Sequence, residues 1–280
     1  MWLRMMLGST WGLALTTAVL TAQPTSGVHV EAVTLHDFGS DEAALLALPA
    51  QPPKAAALLL PDALGSRDVV EQRCVLLARM GYLALALDFY DGQEAPDAAE
   101  AERLSARVDD QRARQAIRSA LRLLLDSPRY QCPRVLVAAW GPHIAHVSSA
   151  LDAEPDRVPR VALVTAVEAR GAEIQLLQRA PLPSQFILRQ EDAPGLASEA
   201  RNTGILPYNL FDAPRGFMLH ASDPPAAVEA WSLMLDAWAR RLDGQSVADP
   251  VLPLPGPPPP SESSHQTESK PRPLHPRLQR

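Results

Sequence analysis

The stretch VLVAAWGPHIAH, residues 135–146, runs from an apolar segment through a Gly-Pro break into a helix-compatible segment. A strand that turns sharply into a helix is the setting in which a G-x-S-x-G elbow projects a nucleophile. No Ser or Cys lies between Val135 and His146, so the setting is present without the attacking atom. His143 and His146, three apart at the expected helix start, could share a face. A metal centre needs at least one more ligand, and none stands at a helpful spacing, so both are expected at the helix start or a pocket rim and no metal is expected. His220, five positions after Arg215, could act as a base toward Ser148 or Ser149, although both serines should lie deep along the helix. The backbone N–H groups of Gly141, of the residues after Pro142 and of the Ala63–Gly65 turn could bind an anion or a carbonyl oxygen, as helix starts do. Neither G-x-x-x-x-G-K-[ST] nor G-x-G-x-x-G occurs, and no cofactor is expected.

These residues need elements to hold them. VHVEAVTL and EAALLALPA, separated by Asp37, Gly39 and Asp41, predict an opening hairpin. Ala55–Leu60 is apolar throughout and suits a strand buried on both faces. Val69, Val70, Cys74, Leu77 and Met80 fall near helical spacing and stop at Gly81, after which YLALALDFY is a second buried strand. One long helix is expected from about Ala98 to Leu125, with Leu104, Val108, Ala113, Ile117, Leu121 and Leu124 on its inner face. Beyond Val135–Ala139 and a helix from about His143 to Leu151, strands RVALVTAV, PSQFILRQED and YNLFDAPRGF follow, with a helix AEIQLLQRA between the first two. PPAAVEAWSLMLDAWARRL closes the pattern, and its Trp231 and Trp238, seven apart, are expected in the core. Strands alternating with helices predict a three-layer α/β fold, a mostly parallel sheet with helices on both faces and no separate cap domain. Functional groups in such a fold gather at the carboxyl ends of the strands.

The two ends of the 280-residue chain read differently from this middle. Residues 1–22 place Arg4 before an otherwise uncharged apolar run that ends in small polar residues, the order of a secretory signal peptide cleaved between 18 and 27. Gly8, Ser9, Thr10, Thr16 and Thr17 dilute the run, so no stable membrane span is expected after its removal. Residues 244–280 are too rich in proline for helix or inner strand and predict a solvated tail, which could meet a protein partner through its polyproline segments. One domain, residues 28–243, remains, and the 46% hydrophobic content suffices for its core. The formal charge of −6 opposes a nucleic-acid partner, because attraction to the phosphate backbone would have the wrong sign. Cys74 and Cys132 make no disulfide framework and are expected to stay apart.

The segment ALLLPDALGSRDVVEQRCVLLARMGYLALALDFY resembles the dienelactone hydrolase family of α/β-hydrolases, above all at Gly81, Tyr82, Asp88 and Tyr90. The likeness continues through VLVAAWGPHIAH, SQFILRQEDAPG and YNLFDAPRGF to the closing helix, over about residues 28–240. It implies an α/β-hydrolase fold and, in the family, a Cys or Ser nucleophile, an Asp and a His that hydrolyse esters and lactones. Carried onto this chain, those positions fall on Trp140, Asp192 and Arg215. An indole cannot form an acyl-enzyme, and a guanidinium cannot accept a proton. Triad hydrolysis is therefore expected to be absent. Trp140 is expected to pack into or over the former pocket, with Gly141 able to take the elbow's left-handed backbone. Arg215 is expected to pair with Asp192, or else with Asp62. Asp62, Ala63, Tyr90 and Gly141 are the expected binding residues, suited to a small carboxylate or an aromatic ligand. The chain thus reads as an exported, periplasmic or secreted, noncatalytic relative; the alternative is a carboxylic-ester or lactone hydrolase with an unconventional constellation.

Overall fold

The structure, a computed structural model, describes residues 27–179, 182–192, 208–219 and 225–245. The first strands, β1 (His29–Thr34) and β2 (Ala43–Leu48), form the expected antiparallel hairpin. They are followed by β3 (Ala55–Leu60), α1 (Arg67–Arg79), β4 (Tyr82–Leu87), α2 (Ala98–Ser105), α3 (Asp110–Asp126), β5 (Val135–Trp140) and α4 (His143–Asp152). The remaining elements are β6 (Val161–Val167), α5 (Gly171–Arg179), β7 (Ser184–Arg189), β8 (Tyr208–Phe211) and α6 (Pro225–Leu242). All eight strands join one sheet in the order β1-β2-β4-β3-β5-β6-β7-β8, parallel from β4 to β8.

Every residue of β3, β4, β5 and β6 is buried, which is why these strands read as continuous apolar runs. Their alternation sorts side chains between two cores. Val135, Val137 and Ala139 of β5 face the core shared with α3 and α4, whereas Leu136, Ala138 and Trp140 face the one shared with α1 and α6. In that second core Trp231 donates its indole N–H to the Met218 carbonyl and Trp238 donates to Thr165 Oγ1, both at 2.9 Å. Both tryptophans are core residues, as expected. Cys74 and Cys132 are buried and free.

One expected element is two. The helix predicted over 98–125 breaks after Ser105, and Asp109, in extended backbone, restarts it by accepting from the Arg112 N–H at 2.7 Å. A cap of this type contributes ~1 kcal/mol. Leu104 and Val108 carry the apolar face across the break, so periodicity alone joins what the cap separates. The break leaves Ser105 as the last residue of α2, beside the carboxyl ends of the strands. Among the described residues no helix is long and apolar enough to cross a membrane.

Candidate functional site

The turn after β5 has the sharp strand-to-helix geometry expected of it, but the special backbone belongs to Gly141, whose φ is +50°. Trp140 is the last strand residue. It is 1% exposed, and its ring lies 6.1 Å from that of Trp231 on the α1/α6 face. The assignment of Trp140 to the nucleophile's place is therefore corrected by one residue, and so is its placement over the pocket. Strand parity sends the indole away from the site, and the left-handed position at the elbow is held by a residue with no side chain. A Cβ built on Gly141 meets nothing within 4 Å, so the space above the turn is open.

That space belongs to a cavity of about 180 Å³ at the carboxyl ends of the strands. Asp62, Glu102, Glu168 and Glu173 line it together with Arg170, Arg189 and Arg215, and Ser105, Gly141 and Pro142 complete the wall. Arg215 Nη1 lies 3.9 Å from Glu102 Oε1. The described partner of Arg215 is thus an α2 carboxylate. The side chain of Asp192 lies outside the described residues, so the expected Asp192–Arg215 pair does too, as does His220. Asp62 is buried, lines the same cavity as Arg215 and accepts the Leu64 N–H at 3.0 Å.

Glu168, directly after β6, was not anticipated from the sequence. Its backbone is left-handed at φ +55°, a conformation that costs a non-glycine residue roughly 1–3 kcal/mol. Two bonds impose it: the Glu168 N–H donates to the Ile187 carbonyl at 2.8 Å, and its carboxylate accepts the Gly216 N–H at 2.7 Å. A side chain at 216 would meet Leu64 at 2.9 Å, so a glycine after Arg215 is what lets that amide reach the carboxylate. Burial, reinforced by the neighbouring Asp62 charge, raises the Glu168 carboxyl to about 8 against the pull of Arg189 and Arg215. The general rule that functional groups sit just past parallel strands was the signal that could have found it.

The other expected binding residues divide. Tyr90 does not line this cavity; its hydroxyl lies 3.3 Å from Ser105 Oγ, which does. Ala63 is buried behind it. The Tyr90 hydroxyl is also 2.7 Å from His143 Nε2, His143 Nδ1 is 3.3 Å from His146 Nδ1, and His146 Nε2 is 3.0 Å from Asp110 Oδ1. His143 and His146 are accordingly buried members of a hydrogen-bonded chain rather than rim residues. Burial and the proximity of His146 hold His143 down to about 3, so it is neutral at ordinary pH. Burial raises the Tyr90 phenol far above its usual range. Ser148 is buried along α4, away from the helix mouth as expected.

Five of the amides expected to receive a carbonyl oxygen are engaged internally. The Gly141 N–H donates to the Val167 carbonyl, those of Ile144 and Ala145 to Gly141 and Pro142, and those of Leu64 and Gly65 to Asp62. An oxyanion site needs donors aimed at an incoming charge. These are committed elsewhere.

Comparison with known proteins bears on the fold. The model of the dienelactone hydrolase family matches residues 43–173, from β2 to the start of α5. A Klebsiella pneumoniae protein assigned as a dienelactone hydrolase superimposes with a TM-score of 0.61 at 16% identity, covering 76% of this chain and 99% of its own. The dienelactone hydrolase of Anabaena variabilis gives 0.54 at 16% identity, over 75% and 96%. A dienelactone hydrolase-like promiscuous phosphotriesterase from metagenomic libraries gives 0.53 at 18% identity, over 76% and 98%. No curated protein sequence matches the chain. The fold is that of the α/β-hydrolases. Within it the chain matches the dienelactone hydrolase family over residues 43–173.

Proposed function

We propose that this is an exported, noncatalytic relative of the dienelactone hydrolases that binds a small carboxylate, aromatic or aliphatic, in the cavity at the carboxyl ends of β3, β5, β6 and β7. The observation that carries the reading is Gly141: the left-handed position of the elbow holds no atom that could attack a carbonyl. Arg215, in the family's histidine position by resemblance, cannot relay a proton, but a guanidinium on a cavity wall suits a carboxylate. The engaged amides around the turn point the same way. Export rests on the Arg4-led apolar run of residues 1–22, and the proline-rich residues 244–280 offer a protein partner a second surface.

The test has two arms. p-Nitrophenyl acetate should be turned over no faster than in buffer, with Asp192→Asn changing nothing. Benzoate should bind in calorimetry, and Arg215→Ala should weaken it about 10- to 100-fold, the value of a lost charge-assisted bond. Turnover abolished by Asp192→Asn overturns the reading.

A second reading, an ester or lactone hydrolase with an unconventional constellation, has one observation in its favour: Ser105 Oγ reaches Tyr90 and through it His143. A histidine held down to about 3 is a poor acceptor for a serine proton. Labelling by a fluorophosphonate that Ser105→Ala abolishes would decide for this reading.

A further inference from the structure

The chain Ser105–Tyr90–His143–His146–Asp110 runs from the cavity wall to the surface, and its partners fix which way every proton points. A carboxylate only accepts, so Asp110 takes the Nε2–H of His146. Neutral His146 then accepts at Nδ1, which obliges His143 to donate from Nδ1 and to accept at Nε2. Tyr90 therefore donates to His143, and its oxygen accepts from Ser105. All four side-chain donors point outward, from cavity to surface. Ser105 can turn its hydroxyl to a ligand in this state only by giving up its bond to Tyr90.

The same atoms satisfy one other arrangement, in which every donor from His146 Nδ1 to Ser105 points inward while His146 Nε2–H still donates to Asp110. Resting on the carboxylate-binding reading above, we propose that the cavity binds a small carboxylic acid as carboxylate plus proton, the positive charge being stored on His146. The acid's proton passes to Ser105 Oγ while the Ser105 proton moves to Tyr90, the Tyr90 proton to His143 Nε2, and the His143 Nδ1 proton to His146 Nδ1. Nothing is gained or lost but the one proton delivered. His146 becomes an imidazolium against Asp110, and Tyr90 now donates to Ser105, whose hydroxyl faces the carboxylate beside Arg215.

The surroundings suit this. His146 is itself buried, 11% exposed at the side chain, but its Nε2 lies 3.0 Å from Asp110 on α3, so the stored charge is paired with a carboxylate that is 74% exposed and open to water. His143, stacked on Phe89 at 4.6 Å and fully buried, carries the proton through without holding charge itself. The titratable and charged groups at the inner end are Asp62, Glu102, Glu168, Arg170, Glu173, Arg189 and Arg215. Of these, Glu168 could also take up a proton as a ligand carboxylate approaches, and the experiment separates it.

Titrate the full chain with benzoate at pH 7.5 in phosphate and in Tris, whose different ionisation heats reveal proton uptake. Wild type and Glu168→Gln should each take up close to one proton per benzoate. His146→Gln should take up almost none and bind about tenfold more weakly. Zero uptake in wild type, uptake persisting in His146→Gln, or uptake lost only in Glu168→Gln overturns the proposal. Nitrogen NMR of the two histidines gives a readout that needs no ligand: His143 carries its proton on Nδ1 at high pH and on Nε2 once His146 is protonated. Exchange of tautomer without benzoate binding supports the switch and overturns the carboxylate reading alone. A fixed tautomer overturns the switch whether or not benzoate binds.

Discussion

The last residues of β5 divide two regions that solve burial in opposite ways. On the α1/α6 side the Tyr82 hydroxyl has no hydrogen-bond partner among the described residues, and Trp140 packs against Trp231 with its own indole N–H in the same state. The indole N–H groups of Trp231 and Trp238 do find partners. On the α3/α4 side, three residues further on, His143 is as deeply buried but bonded at both ring nitrogens. The first region gains stability from contact area and tolerates two unpaired donors, the Trp140 indole and the Tyr82 hydroxyl. The second gives up apolar contact for a polar chain, which is tolerable only while every member is satisfied. An apolar wall holds the sheet together, and the polar wall gives the cavity its chemistry.

Substitutions can break that comparison. The largest effect should come from Trp140→Ala, which empties the packed side and should cost ~3–5 kcal/mol in denaturant unfolding. Benzoate affinity of the folded fraction should be unchanged, because the indole does not line the cavity. Equal loss of binding would show that the two sides are one unit.

Next comes the pH dependence of stability. The folded Glu168 carboxyl keeps its proton up to about 8, whereas the unfolded chain releases it near 4.5. Between these values the folded state holds the extra proton, so this group makes stability fall as pH rises, by on the order of a few kcal/mol. Glu168→Gln should remove that slope in unfolding curves taken from pH 5 to 9. His143 acts with the opposite sign: the unfolded ring is protonated below 6.5 and the folded one only near 3, so its contribution is lost as pH falls through that window. His143→Gln should flatten the acid limb.

Smaller effects sharpen the contrast. Tyr90→Phe leaves His143 Nε2 and Ser105 without their shared partner and should cost ~1–3 kcal/mol, the value of stranded polar groups. Trp140→Phe removes an N–H that has no described partner and keeps most of the packing, so its cost should stay within ~1 kcal/mol. If Trp140→Phe proved the more damaging of the two, the apolar side would be the one that depends on polar detail.

Much of this molecule is legible from its residues. The apolar runs at 55–60, 82–87, 135–140 and 161–167 are buried strands because only a parallel sheet covered on both faces removes so much continuous apolar surface from water. The hairpin and the closing helix follow from the same patterning. The break between α2 and α3 does not, since an apolar face can continue across a cap.

The site was legible in part. That a Gly-Pro turn follows β5 and that no Ser or Cys lies between Val135 and His146 are facts of composition that no packing can alter. Which way Trp140 faces, that Gly141 holds the left-handed turn, and that Glu168 and Ser105 stand on one cavity wall depend on strand parity and on segments far apart in the chain. So does the path from Ser105 to Asp110, whose members come from four elements or loops. A sequence fixes which groups are present and the periods at which they recur; only folding decides which of them share a low-dielectric space, and that sharing sets their partners, their protons and their charge.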